Sequence, residues 1–278
     1  MTSNTSGNMP WILVTNDDGR DSPTLIPLVR ALSAIAPVRA VVPNEERSWT
    51  SKVLSRFGTL EARQVGIDGI QVWTVDGGYP ADCANIAVHN LFDSRPAFAV
   101  SGINMGTNAG LAYFMSSGTV GAATECALSG VPAAAFSLCL DPEEYRRWRR
   151  NEPLGPAFPE RLSSAVAVTL EVVGELLSTG LPPNVSFLNV NMPVDIGPGC
   201  GRRVTGLEAC TYGAFFEGTG ATHNYRHGPL QLERTDSRDG DLAAVERNEV
   251  SITPIRLNQD VALDPAQAQR FERSPTES

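Results

Sequence analysis

The sequence lacks the short motifs that mark several large enzyme classes. It contains no GxxxxGK(S/T) phosphate-binding loop, no GxGxxG dinucleotide fingerprint and no GxSxG nucleophile elbow. Hydrolysis of nucleoside triphosphates, binding of a dinucleotide cofactor and α/β-hydrolase chemistry therefore have no support. The five cysteines form no CxxC pair, so we expect buried thiols rather than a zinc site or a disulfide framework. The three histidines, His89, His223 and His227, form no HExxH helix.

Excess positive charge and long apolar runs are also missing. The 278 residues include 31 acidic and 22 basic side chains, a net charge of -9, which disfavours non-specific binding to a nucleic-acid polymer. No apolar run approaches the roughly 18 residues of a membrane span. Residues 1–10 lack the basic and apolar regions of a leader peptide. We therefore expect a cytoplasmic location, with neither a nucleic-acid polymer nor a membrane among the partners.

Two adjacent carboxylates stand directly after the first predicted strand. Residues 11–15 suit a buried strand of a parallel sheet, and Asp17, Asp18 and Gly19 follow. In open α/β sheets, ligands bind at the carboxyl ends of the strands. Adjacent carboxylates repel each other unless a cation offsets the repulsion, and Mg2+ and Mn2+ prefer oxygen ligands. Turn formation and helix capping by the two aspartates are the alternative, and this stretch alone leaves both open.

Strands and helices alternate along most of the chain, which predicts an α/β fold. The predicted strands cover residues 11–15, 38–42, 70–75, 97–100, 131–138, 185–190 and 250–254. The predicted helices cover residues 23–35, 80–92, 116–128, 161–177 and 264–272.

The composition divides the chain into three parts. Residues 1–140 are predicted to form a Rossmann-like core that holds the site. Residues 141–160 combine acids, four arginines and prolines, and we expect a surface insertion with a solvated helical turn rather than a nucleic-acid patch. Residues 161–278 are predicted to supply a helix, a strand and a β-rich extension that takes part in oligomer formation.

Loops rich in oxygen ligands or bare backbone leave the carboxyl ends of the predicted strands. They cover residues 16–21, 43–52, 101–110 and 115–119. Together they can build a site for a cation and an anion. Ser117, Gly118 and Thr119 form the anion half, because they precede a helix whose first N–H groups suit phosphate. Simple helix capping by the serine or threonine is the competing explanation.

The ordered set of motifs resembles the SurE family of metal-dependent nucleotidases. The resemblance covers residues 11–140 and resumes near 185–255. The matching motifs are Asn16-Asp17-Asp18-Gly19, Val42-Pro43, Arg47-Ser48, Pro80-Ala81-Asp82-Cys83, Val100-Ser101-Gly102-Ile103-Asn104, Gly106, Asn108, Ser117-Gly118-Thr119-Val120-Gly121-Ala122-Ala123 and Val250-Ser251-Ile252-Thr253-Pro254.

The resemblance implies a fold, a reaction and a set of site residues. The fold is a Rossmann-like, mostly parallel sheet with helices on both faces and a smaller β-rich C-terminal extension, in a homodimer or homotetramer. The reaction is hydrolysis of nucleoside 5′- and 3′-monophosphates with one divalent metal ion, Mg2+ or Mn2+. The implied metal ligands are Asp17, Asp18, Ser48 and Asn104, and both aspartates are the candidates for catalysis, as nucleophile or general base. The implied phosphate contacts are Asn108, Ser117, Gly118 and Thr119.

Several positions depart from the family pattern. Trp49 stands where the family commonly has glycine after the serine ligand, and Gly240-Asp241 stands where a Thr-Asp pair is usual. Arg20-Asp21-Ser22-Pro23-Thr24 and the 141–160 insertion are also particular to this chain. Trp49 lies in a polar loop, so it either stacks on a nucleobase or packs against the insertion or a neighbouring subunit.

Two alternative functions remain at this stage. A haloacid-dehalogenase-like phosphatase needs aspartates two residues apart, whereas adjacent ones lie on opposite sides of an extended chain. A non-catalytic nucleotide-binding protein could keep a metal site without turnover.

Overall fold

The computed structural model describes residues 10–225, 232–234, 238–258, 260 and 262–272. Its strands are β1 (Ile12–Thr15), β2 (Val38–Pro43), β3 (Glu61–Ile67), β4 (Ile70–Asp76), β5 (Phe98–Met105), β6 (Ala133–Leu138), β7 (Phe187–Met192), β8 (Arg202–Val204), β9 (Cys210–Thr211), β10 (Phe216–Thr219), β11 (Thr222–Tyr225), β12 (Glu233–Arg234) and β13 (Val250–Ile255). Its helices are α1 (Leu25–Leu32), α2 (Pro80–His89), α3 (Leu111–Ser116), α4 (Gly118–Leu128), α5 (Pro142–Arg149), α6 (Phe158–Thr179), α7 (Asp241–Glu246) and α8 (Pro265–Ala268).

A mostly parallel sheet of nine strands runs through the described residues, in the order β3-β4-β2-β1-β5-β6-β7-β13-β8. β1 pairs in parallel with β2 on one side and with β5 on the other, so the strand order reverses beside β1. β3 is antiparallel to β4, and β13 is antiparallel to β7. Ligand crevices in such sheets form at the reversal point, beyond the carboxyl ends of the strands. The two aspartates after β1 stand at this point.

Helices cover both faces of the sheet. One face forms a hydrophobic layer with α1 and α6, which includes Leu28 and Val173. The other face forms a layer with α2 and α4, which includes Ala84 and Val120. β1, β5, β6 and β7 are buried along their whole length, as expected of strands covered on both sides. The predicted Rossmann-like α/β fold is therefore confirmed.

Within the described residues, α6 is the one helix long and apolar enough to cross a membrane by length and composition alone. It packs against α1 and β6, and its buried side chains include Val166, Val173 and Leu176. Arg161, near its start, forms a buried ion pair with Glu144 at 2.5 Å. Core helices of globular proteins share this length and composition, and these contacts account for the apolar face of α6.

The loop predicted over residues 101–110 is wrong in part. β5 continues to Met105 and α3 begins at Leu111, so only residues 106–110 connect them. Gly102 suggested a loop, but it lies inside the strand and against the backbone of β6. A Cβ atom at Gly102 would lie 2.2 Å from the carbonyl oxygen of Phe136, and the φ of +124° also favours glycine. The glycine therefore marks close packing of two strands rather than a loop.

The insertion and the C-terminal part are more ordered than predicted. Residues 142–149 form α5, whose Glu144 is buried, so one face of the insertion packs against the core. β7, β13 and β8 continue the main sheet, while β9 with β12 and β10 with β11 form small antiparallel pairs. These pairs agree with a β-rich extension. The helix α7 was not predicted, and α2 and α8 are shorter than predicted.

Candidate active site

The turn after β1 is fixed by its own asparagine and glycine. The Asn16 side chain accepts a hydrogen bond from the Gly19 N–H at 3.1 Å and donates one to the Gly19 carbonyl at 3.0 Å. Gly19 has a φ of +80°, and a Cβ atom there would lie 2.7 Å from the backbone of Glu45. The turn is thus pressed against the segment after β2, where the Arg47 N–H donates to the Asp17 carbonyl at 2.7 Å.

The two carboxylates are both buried and point to different neighbours. Asp17 is 3% exposed and Asp18 is 6% exposed. Oδ1 of Asp17 accepts a hydrogen bond from the Thr119 hydroxyl at 2.6 Å, at the start of α4. Oδ2 of Asp18 accepts one from the Met105 N–H at 3.1 Å, at the end of β5. Oδ1 of Asp18 is buried and has no hydrogen-bond partner among the described residues.

Burial makes both carboxylates weaker acids. It raises the pKa of Asp17 from its ordinary value of 3.8 to about 6, against hydrogen bonds from Thr119 that lower it. Burial, and then the charge of Asp17, raise the pKa of Asp18 well above its ordinary value. The two groups therefore cannot easily be ionised together without a neighbouring positive charge. A bound cation would supply that charge and restore both carboxylates to their charged form.

Two neutral oxygen donors adjoin the residues that are hydrogen bonded to the aspartates, and together with the two carboxylates they suit a hard divalent cation. Asn104 is 7% exposed and directly precedes Met105, whose N–H holds Asp18. Ser48 directly follows Arg47, whose N–H is bonded to Asp17. No group of three or more His, Cys, Asp or Glu side chains in the described part of the chain could hold a metal. A cation here would therefore use neutral oxygens beside the two carboxylates, as Mg2+ and Mn2+ do. The unpartnered Oδ1 of Asp18 is an oxygen that it would satisfy.

Glu46 and Arg149 lie beside this site and were not predicted to. Arg149 of α5 forms an ion pair with Glu46, and Glu46 accepts a hydrogen bond from the Ser48 N–H at 3.1 Å. Burial alone would raise the pKa of Glu46, but the bonds from Ser48 and Arg149 lower it below its ordinary value. The charge of Glu46 also acts on both aspartates. The insertion thus reaches the site, a placement that sequence spacing of about 100 residues could not reveal.

The start of α4 lies directly against Asp17. The Ser117 hydroxyl accepts a hydrogen bond from the Val120 N–H at 3.1 Å, so its side chain caps the helix. A Cβ atom on Gly118 would lie 2.8 Å from Cβ and 3.1 Å from Oδ2 of Asp17. Thr119 donates its hydroxyl to Asp17, and its carbonyl accepts from the Ser101 hydroxyl at 2.7 Å. The first-turn N–H groups, which suit an anion, are therefore next to the carboxylates.

Asn108 lies in a buried polar network rather than standing free. Its amide nitrogen donates to the Ser137 hydroxyl at 2.7 Å, and its backbone N–H donates to Asn191 at 2.8 Å. Its carbonyl accepts from the Asn189 side chain at 3.0 Å. The structural role of Asn189 and Asn191 in β7 was not predicted. Polar residues at alternate positions of a buried strand could have indicated it. These asparagines hold the 106–110 loop beside the site.

His89 and His223 take no part in these contacts. His89 is exposed at the end of α2 and bonds to the Ser129 hydroxyl at 3.0 Å. His223 is exposed in β11, and His227 lies outside the described residues.

Fold and site together define a class of protein. It is a Rossmann-like α/β protein in which paired carboxylates and a helix start share the crevice at the reversal point of the sheet. Comparison with known proteins makes the class specific. The model of the family described as "Survival protein SurE" matches residues 12–214, and the chain belongs to this family. The resemblance seen in the sequence motifs is thereby confirmed.

Relatives and a solved structure agree with this membership. The "5'-nucleotidase SurE" of Methanoregula boonei is 37% identical over 254 residues, which cover 90% of this chain and 93% of the relative. The "5'-nucleotidase SurE" of Methanoculleus marisnigri is 36% identical, with 90% and 92% covered. The crystal structure of the SurE protein from Aquifex aeolicus superposes with a TM-score of 0.70 at 26% identity, and covers 94% of this chain and 98% of that chain.

Proposed function

We propose that this protein is a phosphoric monoester hydrolase that releases phosphate from nucleoside 5′-monophosphates, and also from 3′-monophosphates, with one divalent metal ion. The buried, unpartnered Oδ1 of Asp18 beside a second buried carboxylate is the observation that carries the proposal. The names of the relatives support the nucleotide substrate.

The proposed ligands are the two carboxylates and two neutral oxygens. Asp17, Asp18, Ser48 and Asn104 would hold one Mg2+ or Mn2+ ion. When bound, such an ion supplies positive charge to a phosphoryl oxygen and acidifies a water molecule at the site. Thr119 keeps Asp17 oriented through its 2.6 Å hydrogen bond, and Met105 does the same for Asp18 at 3.1 Å.

The proposed phosphate position is at the start of α4. The N–H groups of Gly118 and Thr119 and the helix dipole stabilise charge that develops on the phosphoryl oxygens. Ser117 keeps these groups in place because its side chain caps the helix. Asn108 is the further proposed phosphate contact, and its buried network keeps the loop that carries it in place.

The haloacid-dehalogenase-like alternative gains no support from the geometry. Its nucleophile and acid stand two residues apart, whereas Asp17 and Asp18 are adjacent in the turn after β1. A stable aspartyl-phosphate trapped on either residue would revive it.

The setting of the reaction is also part of the proposal. We propose a cytoplasmic homodimer or homotetramer that acts on small nucleotides rather than on a nucleic-acid polymer or at a membrane. The net charge of -9 supports the small substrate, because an acidic protein repels a polyanion.

The test is phosphate release from a panel of nucleoside 5′- and 3′-monophosphates and glycerol phosphate, with Mn2+, with Mg2+ and with EDTA. We expect release from nucleotides that stops in EDTA and returns when metal is added back. Full activity in EDTA would exclude the metal-dependent reaction. Binding of nucleotides without phosphate release under any condition would favour the non-catalytic alternative.

A further inference from the structure

Aromatic side chains from three segments gather beside Ser48. The Trp49 ring contacts those of Tyr113, Tyr212 and Phe215, with centroids 6.0, 5.3 and 5.3 Å apart. Phe215 in turn contacts Tyr212 at 4.7 Å and Tyr225 at 5.7 Å. We call Trp49, Tyr113, Tyr212, Phe215 and Tyr225 the aromatic cluster. The proposed reaction uses none of these side chains, so their assembly needs a separate explanation.

The aromatic cluster adjoins both halves of the proposed site. Trp49 directly follows the proposed metal ligand Ser48. Two residues further on, the Ser51 N–H donates to the carbonyl of Ser116 at 2.9 Å, next to the helix start that suits phosphate. The Tyr212 hydroxyl is hydrogen bonded to the Ser116 hydroxyl. A molecule with phosphate at the start of α4 would therefore have these rings beside it.

The rings are not packed as core residues are. Trp49 is 43% exposed and Tyr225 is 41% exposed, whereas the core ring of Phe136 is fully buried. The Trp49 ring meets Tyr212 and Phe215 edge to face. Clustered exposed rings of this kind mark ligand or interaction sites more often than isolated surface aromatics do.

The backbone of Trp49 points to a role for its side chain. Its φ of +62° lies in the left-handed region, which glycine adopts freely and a bulky residue adopts with strain. Strained residues cluster at ligand sites because the function of the side chain there outweighs the cost of the backbone strain. Glycine would adopt this turn without strain, so the presence of tryptophan supports a role for the indole.

The insertion forms one border of the aromatic cluster. Burial raises the pKa of Tyr145 in α5, while Arg149 and the Trp49 side chain act to lower it, which places Trp49 beside α5. Arg149 holds α5 to Glu46 through an ion pair. The insertion therefore contacts the segment after β2 on either side of Ser48, at Glu46 and at Trp49.

We propose that the aromatic cluster, centred on Trp49, binds the base of a nucleoside monophosphate whose phosphate lies at the start of α4. The proposal rests on the proposed function and adds substrate choice to it. A planar base stacks on an exposed ring face, whereas a phosphomonoester without a base gains nothing from the rings. A second copy of this chain is the rival occupant of the same surface.

The first test compares two substrates in Trp49→Ala and in the control Phe57→Ala. Phe57 is 90% exposed and makes no ring contact with the aromatic cluster. We expect Trp49→Ala to lower the ratio of kcat/KM for adenosine 5′-monophosphate over glycerol phosphate by about tenfold, mainly through KM. Phe57→Ala should leave that ratio unchanged. Equal losses on both substrates, or a changed oligomeric state by light scattering, would overturn the proposal in favour of packing.

A second test does not need turnover. Adenosine, which has no phosphate, is titrated in EDTA while tryptophan fluorescence is followed. We expect quenching in the wild type and in Phe57→Ala, and its loss in Trp49→Ala. Unchanged quenching in Trp49→Ala, or none in the wild type, would overturn the proposal. If the wild type releases phosphate from no substrate, the proposed function fails, and this titration still decides whether the aromatic cluster binds a base.

Discussion

At the scale of single residues, Asp17 and Gly118 show how tightly the two halves of the site are joined. The carboxylate of Asp17 is held by Thr119, and the space where a Gly118 side chain would begin is filled by Asp17 itself. Glycine is therefore required at position 118 by the acid as well as by any phosphate that approaches the backbone. One substitution here should disturb the cation half and the anion half together.

Gly118→Ala should impair both metal binding and phosphate release. Its Cβ would lie 2.8 Å from Cβ of Asp17, so the carboxylate must shift. We expect a fall in kcat/KM of at least roughly tenfold, or about 1.4 kcal/mol, and weaker Mn2+ binding by calorimetry. The matched control is Gly174→Ala in α6, where a Cβ meets no atom within 4 Å. The control should raise stability slightly, by about 0.5–1 kcal/mol. Wild-type kinetics in Gly118→Ala would show that the contact is unimportant.

The pKa of Asp17 gives a pH prediction for the metal-free protein. Burial raises this pKa from 3.8 to about 6, so between these values the folded state holds more protons than the unfolded state. Stability must then fall as pH rises through this window. In EDTA, we expect the free energy of unfolding of the wild type to fall by roughly 1 kcal/mol relative to that of Asp17→Asn between pH 5 and pH 7. Urea unfolding measures this difference. A rise in the unfolding free energy of the wild type over the same range would contradict the assigned burial. Addition of Mn2+ at pH 7 should reverse the loss.

At the scale of elements, the C-terminal part supports the loop that carries Asn108. Asp241, at the start of α7, accepts hydrogen bonds from the N–H groups of Gly110 at 2.8 Å, Glu208 at 3.0 Å and Leu242 at 2.9 Å. Gly110 belongs to the connection between β5 and α3. The position and orientation of the site therefore depend on a helix more than 130 residues away in sequence.

Asp241→Ala should lower both stability and turnover. Three buried N–H groups would lose their acceptor, so we expect a loss of about 1–3 kcal/mol in the free energy of unfolding. Loss of the hydrogen bond to Gly110 should also loosen the 106–110 loop, and we expect kcat to fall by a larger factor than KM rises. The control is Asp239→Ala, an exposed neighbour, which should change neither. Equal unfolding free energies for Asp241→Ala and the control would refute this link.

The sequence was most informative where a local pattern sufficed. β1, the acidic turn and α4 follow from an apolar run, an Asp-Asp-Gly turn and small residues before a helix. The length of β5, the helices α3 and α7, and the positions of Glu46 and Arg149 were missed. Those features depend on contacts distant in sequence, such as the approach of β6 to Gly102 and the pairing of Glu46 with Arg149. The network around Asn108 was missed for the same reason.

At the scale of the whole molecule, the extension beyond the main sheet is poorly covered by the described part of the chain. The pair β10 and β11 is exposed along its length, and Phe216 in β10 is 63% exposed. Val204, in the edge strand β8 of the main sheet, is 71% exposed as well. Exposed apolar groups on short strands are typical of subunit contacts. The domain division into core, insertion and oligomer-forming extension remains a proposal that these exposures support.

The protein should therefore be at least a dimer in solution. We expect light scattering at micromolar concentration to give a multiple of the monomer mass, and Phe216→Glu to shift it towards the monomer because a charge cannot be buried in the contact. Phe271→Glu, at a ring that is 77% exposed and lies outside the extension strands, is the control. A monomer in the wild type would exclude the proposed assembly.

The proposed function depends on the binding of a divalent metal ion by the buried aspartate pair. The most direct measurement of this binding is calorimetric titration of Mn2+ into the EDTA-treated, desalted protein and into Asp18→Asn. Asp21→Asn, whose side chain is 87% exposed, serves as the control. We expect one site per chain in the wild type and in Asp21→Asn, and binding at least tenfold weaker in Asp18→Asn. The Asp18→Asn protein should stay folded because the substitution removes a buried charge. Equal Mn2+ affinity in all three proteins, or no binding in the wild type, would contradict it.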